Sequence, residues 1–298
     1  MTLNHPLRYA FSLGYVLGMI SVCFSTAPVA RGAAPDNGHE PIVIGLQLYS
    51  LRAQMAKDVD APLAEVETWG VSDVELGGLF KLTAEQFRAE LDKHHLHASG
   101  IHYQWGQFAT DIDGIIRDAK ILGCQYVTLP WIPHRGDFTA DDARQAADKF
   151  NEWGKKLADA GLHFTYHPHG YEFRSYQDGT LFDLLASLTR PEYANFELDV
   201  FWAYHGGADP IKLMRKYPNR FPLLHLKDMD KSVKVPNTTG HENIENDVAL
   251  GAGQMDIAGI VREGEAIGVK HFYIEDESSR SERQIQQSIQ FLRSLDKK

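Results

Sequence analysis

The chain has 298 residues, 43% of them hydrophobic, and a formal net charge of −10. That length is enough for one large core, since closed β/α barrels commonly run to about 250 residues as one domain. The acidic balance repels phosphate backbones and anionic membrane surfaces, which argues against a nucleic-acid partner and for a neutral small-molecule solute.

In chain order, Arg8 precedes an apolar run over 9–24, followed by the small residues Ala27, Ala30, Gly32, Ala33 and Ala34. This pattern predicts a secretory signal peptide, cleaved after Gly32 or Ala34. The run is shorter than the roughly 20 residues that a bilayer span needs. Expected are a signal over 1–34, a linker over 35–41 and a barrel over 42–298, in an exported, periplasmic protein with no stable membrane association after cleavage. A retained N-terminal anchor is the alternative. Cleavage removes Arg8 and Arg31 and no acid, so the net charge falls from −10 to −12. It also removes Cys23 and leaves Cys124 alone, which rules out an internal disulfide.

Beyond residue 42, short runs rich in Val, Ile, Tyr and Phe alternate with stretches of helical period. Strands are predicted at 42–48, 73–76, 98–102, 126–130, 163–167, 195–200, 223–226 and 272–275. Helices are predicted between them at 60–69, 83–94, 112–122, 139–160, 179–188, 210–217 and 257–267. Gly70, Gly123, Gly161 and Gly268 each close a helix before a strand, as the left-handed conformation allows. Eight such units without a Gly-rich phosphate loop after the first strand predict a single-domain (β/α)8 TIM barrel rather than an open doubly wound sheet. The long irregular stretch 228–253 follows strand seven, on the face that carries catalysis in such barrels, and is expected to form a lid.

Active sites of closed β/α barrels are built at the C-terminal ends of the strands. Those ends carry Glu75, His102, His167, His169, Asp199, His225 and Glu275. Four such ligands suit one divalent ion (Mn, Co, Zn or Mg), because mixed nitrogen and oxygen donors do not specify one metal. Without available thiolates, a soft-metal or iron–sulfur site is excluded. Taken singly, each residue has an ordinary reading, a hydrogen-bonded loop His or a helix-capping Asp. Their joint placement at strand ends favours a site.

The segments GLHFTYHPHGYEF (161–173), FELDVFW (196–202), HLKD (225–228), LGAGQMD (250–256) and IEDE (274–277) resemble the xylose isomerase-like barrel superfamily, also called the sugar phosphate isomerase/epimerase family. The likeness covers nearly all of the chain after the signal. In the ketose epimerases of that family, Glu, Asp, His and Glu on strands five to eight hold the metal. The resemblance therefore implies Asp199, His225 and Glu275 as ligands. At strand five this chain has His167-Pro168 where those epimerases have Glu-Pro, and His167 or His169 takes the fourth place. Where they carry a His three residues after the Asp, it has Trp202.

In the epimerases both Glu ligands shuttle protons, from opposite faces of the substrate, and one of the two is missing here. A one-sided proton abstraction beside a polarised carbonyl suits elimination as well as isomerisation. The His-x-His at strand five resembles the inosose dehydratase branch and secreted lyases that cleave 3-keto-glycosides. The first reading is a metal-dependent isomerase or epimerase of a keto sugar or polyol derivative. A lyase or dehydratase is the close alternative, and a non-catalytic exported sugar-binding protein the second. Glu75, His169 or Glu275 is the expected proton acceptor. His102 and Lys227 are candidate donors, although Lys227 equally suits an outward ion pair. Trp105, Trp131, Phe201 and Trp202 are candidates for stacking on a sugar, or else rim packing. A substrate without phosphate is favoured, since no Arg-rich clamp is evident. The oligomeric state is left open.

Overall fold

The computed structural model describes residues 43–295; the expected signal and linker lie outside the described residues. Eight parallel strands close into a barrel: β1 (Ile44–Gln47), β2 (Asp73–Leu76), β3 (His97–His102), β4 (Tyr126–Leu129), β5 (His163–Tyr166), β6 (Ala194–Asp199), β7 (Leu223–Leu226) and β8 (His271–Ile274). Neighbours in sequence are neighbours in the barrel, and β8 pairs with β1 to close it. Each predicted strand is present within one or two residues.

Among the described residues the main helices around the barrel are α1 (Asp60–Thr68), α2 (Ala84–Lys93), α3 (Ile112–Leu122), α4 (Ala140–Asp159), α5 (Leu181–Leu188), α6 (Pro210–Lys216), α7 (Ile257–Ile267) and α8 (Ser281–Leu295), with shorter helical turns at Arg52–Met55, Trp105–Thr110 and Val200–His205. Helix α8 was not among the predicted helices. Thr83, Thr139 and Thr180 cap α2, α4 and α5, each accepting from the third backbone N–H of its helix. Gly70, Gly123, Gly161 and Gly268 have φ of 72, 83, 80 and 81°, the left-handed turn expected of them.

Side chains of a strand alternate faces, so every second residue points into the barrel. Tyr126, Leu223 and Tyr273 form a buried apolar cluster of their own inside. Large inward groups require space across from them. A Cβ on Gly45 would lie 2.5 Å from the Tyr273 ring, and one on Gly100 would lie 2.8 Å from Glu75 Oε1. Among the described residues no helix is long and apolar enough to cross a membrane.

Candidate metal centre and active site

Period-two alternation puts Glu197 and Asp199 on the same inward face of β6. His225 on β7 lies opposite Asp199 and also pairs in register with Tyr273 of β8, which brings Glu275 beside it. His167 follows β5 directly. The four residues expected as ligands meet at the C-terminal mouth, all buried.

Asp199, His225 and Glu275 are close enough together to share one cation, and His167 approaches the set through Asp199. His167 Nε2 is 3.7 Å from Asp199 Oδ2, and His225 Nδ1 is 3.9 Å from Asp199 Oδ2 and 3.2 Å from Glu275 Oε2. Donors on a tetrahedral ion with bonds of about 2.0–2.2 Å stand roughly 3.3–3.6 Å apart. Asp199 Oδ2 and His167 Nε2 are also buried without a hydrogen-bond partner, a cost normally removed by a ligand. Asp199, His225 and Glu275 form one cluster of metal-capable donors. His167 is the better-placed fourth donor, because its Nε2 lies 3.7 Å from Asp199 Oδ2 and is buried without a hydrogen-bond partner.

A second layer lies beneath. His225 Nε2 is 2.7 Å from Glu75 Oε2, which also accepts from Gln47 Nε2 at 2.5 Å. His102 Nε2 sits 3.1 Å from Glu75 Oε2 and 3.0 Å from Glu197 Oε2, and His167 Nδ1 is 3.3 Å from Glu197 Oε2. Burial opposes protonation of His102, but the two carboxylates outweigh it and raise the ring to about 10. Glu75, despite its burial, is held well below the ordinary carboxylate range by His102 and His225. Sequence reasoning missed Glu197, because only the C-terminal ends of the strands were read for site residues; the alternation that marks Asp199 as inward marks Glu197 as well.

Above both layers opens a cavity of about 400 Å³, with His102, His167, His169, Trp131, Trp202 and Glu275 among its walls. His241, Glu242 and Ile244 from the stretch 228–253 border it, so this stretch flanks the pocket as expected of a lid. Glu242 is fixed by His205 Nε2 at 2.9 Å. Burial pushes the pKa of His169 down to about 3, so its ring is neutral. A groove of about 470 Å³ beside Tyr204 and Ile260 lies apart from these residues, and its acids Asp209 and Asp256 cap helices. Another donor group, Asp60, Glu90 and His94, stands on the outer helices, where Lys93 already supplies Asp60 with a cation at 2.5 Å.

Three expectations are corrected. Glu75 is fully buried under the floor and does not border the cavity, so it is not placed to take a proton from substrate. Lys227 does not point outward: it is buried, donates to Glu277 at 2.7 Å and lies 3.5 Å from Asp247 and 3.7 Å from Glu275. Nor does it border the cavity, which removes it as a direct donor. Of the aromatic candidates, Trp131 and Trp202 face the cavity, whereas Trp105 packs on Trp153 and Phe201 is buried beside the Lys227 ammonium.

The model of the xylose isomerase-like TIM barrel family matches residues 53–295. The chain belongs to that family. Within it, the chain is 23% identical over 222 residues to an inosose dehydratase of Mesomycoplasma hyopneumoniae, covering 66% of this chain and 73% of the relative. Its fold is similar to that of a sugar phosphate isomerase/epimerase from Parabacteroides distasonis, with a TM-score of 0.68, 24% identity, and coverage of 88% of this chain and 97% of the other. It is also similar to the IOLI protein with a bound zinc atom, with a TM-score of 0.66, 14% identity, and coverage of 86% and 96%. These two structural likenesses concern the fold. Membership in this enzyme family and a cluster able to hold a metal ion stand together.

Proposed function

We propose that this xylose isomerase-like barrel is an exported, divalent-metal-dependent carbon–oxygen lyase of the dehydratase type, acting on an unphosphorylated keto sugar or 3-keto-glycoside. The observation that carries the reading is the strand-five position. His167 stands there, so Glu275 is the one carboxylate of the four-ligand set that borders the cavity. Epimerisation through two opposed carboxylates lacks its second partner, whereas elimination needs one proton acceptor and one donor to the departing oxygen. The dehydratase relative supports this choice over the isomerase reading. No Lys or Arg borders the cavity among the described residues, in keeping with a substrate without phosphate.

His167, Asp199, His225 and Glu275 would hold the ion. Such an ion supplies Lewis acidity that polarises a carbonyl and acidifies the adjacent C–H. The remaining work belongs to side chains. Glu275 and the neutral ring of His169, both on the cavity wall, are placed to accept the carbon-bound proton. His102, protonated at neutral pH and bordering the cavity, is placed to donate to the leaving oxygen. Trp131 and Trp202 offer apolar faces for the sugar ring and help exclude water.

The test is incubation of the purified protein with keto sugars, keto-polyols and 3-keto-glycosides, with and without chelator, with products followed by NMR. An unsaturated product plus released water or aglycone, abolished by chelator, supports the proposal. An isomer with no elimination product returns the assignment to isomerase or epimerase, and tight binding without turnover makes it a binding protein.

A further inference from the structure

The buried layer beneath the ligands remains to be explained, Glu197 above all, since nothing in the ligand set requires it. Its contacts have a regular plan. Each imidazole ligand has one ring nitrogen toward the proposed ion and the other toward a buried carboxylate: His167 Nδ1 toward Glu197 at 3.3 Å, His225 Nε2 toward Glu75 at 2.7 Å. His102 stands between the two carboxylates, 3.0 Å from Glu197 and 3.1 Å from Glu75. Gln47 Nε2 holds Glu75 from the β1 side at 2.5 Å.

Resting on the metal site proposed above, we infer that Glu197 and Glu75 are positioning residues that fix the tautomers of His167 and His225, with His102 tying the two carboxylates together. A neutral imidazole has one N–H and one lone pair, so the nitrogen that donates to a carboxylate leaves the other free to bind metal. Glu197 thereby assigns Nε2 of His167 as the ligand atom, and Glu75 assigns Nδ1 of His225. Those two atoms are the ones separated from Asp199 Oδ2 by 3.7 and 3.9 Å. A carboxylate behind an imidazole also makes the ring a stronger donor. The two β6 carboxylates therefore divide the labour along one strand face, Asp199 at the ion and Glu197 behind its neighbour.

The same lower residues have a rival reading. His102, His167, Glu197 and His225 also form a group able to hold a cation. Existing partners decide between the two. In the lower group His225 Nε2 and His102 Nε2 already stand 2.7 and 3.1 Å from Glu75, a carboxylate outside that group, and His102 Nε2 is 3.0 Å from Glu197, all hydrogen-bond lengths, whereas Asp199 Oδ2 and His167 Nε2 above are buried with no partner. A proton between those atoms fits better than a metal.

The experiment is a titration of the chelator-treated, full-length protein with Mn²⁺ followed by electron paramagnetic resonance, together with the visible spectrum of the Co²⁺ form. Wild type is compared with the near-isosteric Glu197→Gln, which removes the carboxylate behind His167, and Glu75→Gln, which removes the nearer carboxylate behind His225, so that one remains informative if the other fails to fold. Thermal unfolding of the metal-free proteins reports folding separately. Expected are one ion per wild-type chain, a loss of affinity of about 10- to 100-fold in each variant, and a shifted Co²⁺ spectrum in both. Affinity and spectrum unchanged in the folded variants overturn the positioning role. Two ions per wild-type chain overturn it in favour of the lower metal site. No ion in wild type overturns the metal reading under "Proposed function" itself, an outcome visible before any variant is made.

Discussion

Glu172 lies behind the pocket wall, fully buried, where it accepts from Tyr166 Oη and from the His169 backbone N–H at 3.2 Å. Burial outweighs these donors and pushes its carboxyl up to about 7 from an ordinary 4.5. The folded chain therefore keeps a proton on Glu172 between pH 4.5 and 7 that the unfolded chain has lost. Stability falls as pH rises wherever the folded state binds more protons, so this group contributes nothing adverse below 4.5 and its full cost above 7. At about 1.4 kcal/mol per pH unit, the cost reaches roughly 3 kcal/mol. Glu172→Gln cannot ionise and escapes it. Urea unfolding of wild type and variant in chelator, at pH 4.5 and pH 7.5, is the assay. Because other buried acids titrate in both proteins, the difference between the two isolates Glu172. The variant is expected to be slightly less stable than wild type at pH 4.5 and more stable by roughly 2–3 kcal/mol at pH 7.5. An equal difference at both values would show that Glu172 does not change its protonation over this range, and the burial reasoning would fail.

Three further outcomes follow from the geometry. His225→Ala and Glu275→Gln are expected to lose bound metal and to lower turnover by more than about 100-fold while the far-ultraviolet circular dichroism stays that of the barrel, read alongside metal analysis of the purified variants. Trp131→Ala should raise KM by about 2- to 10-fold with little change in kcat, the worth of one aromatic contact that serves ground state and transition state alike. Gly100→Ala would put a Cβ 2.8 Å from Glu75 Oε1, and denaturant unfolding should show a loss of about 1–3 kcal/mol.

The barrel was legible because its signals are local. A helix, a left-handed glycine such as Gly123 or Gly268, and a short run of β-formers recur with little reference to anything distant. The convergence of the residues expected as ligands was legible for a related reason: a strand-end position in a closed barrel has a place in space before any contact is known. What the sequence hid depends on residues far along the chain. Glu75 reads as a strand-end carboxylate, yet Gln47, His102 and His225 take up its oxygen and Gly100 leaves the space in which it sits. Lys227 reads equally well as an outward lysine, and its direction is set by Glu277 and Asp247. Trp105 and Trp131 both follow strand ends, but only Trp131 faces the cavity, because Trp153 on α4 captures the other ring.

Charge gives the strand-five exchange a second consequence. Three carboxylates and one imidazole, the set implied by the epimerase resemblance, carry three negative charges. His167, Asp199, His225 and Glu275 carry two when both rings are neutral, which matches a divalent ion. A balanced centre leaves more of the ion's field for a bound carbonyl than a centre with excess negative charge does. The exchange that removes the second proton shuttle would thus also favour acidification of the remaining C–H. Under the proposed ligand set Glu197 would act at a distance from the ion: by accepting from His167 Nδ1 it would support the neutral form of that ring with Nε2 free for coordination. Its place two residues before Asp199 is therefore intelligible as a companion to the histidine at strand five, and restoring a carboxylate there without altering Glu197 would set two negative groups against each other in the barrel interior. His167→Glu alone is accordingly expected to bind metal less tightly than His167→Glu combined with Glu197→Gln, measured by the same Mn²⁺ titration; the reverse order would break the link between the two positions.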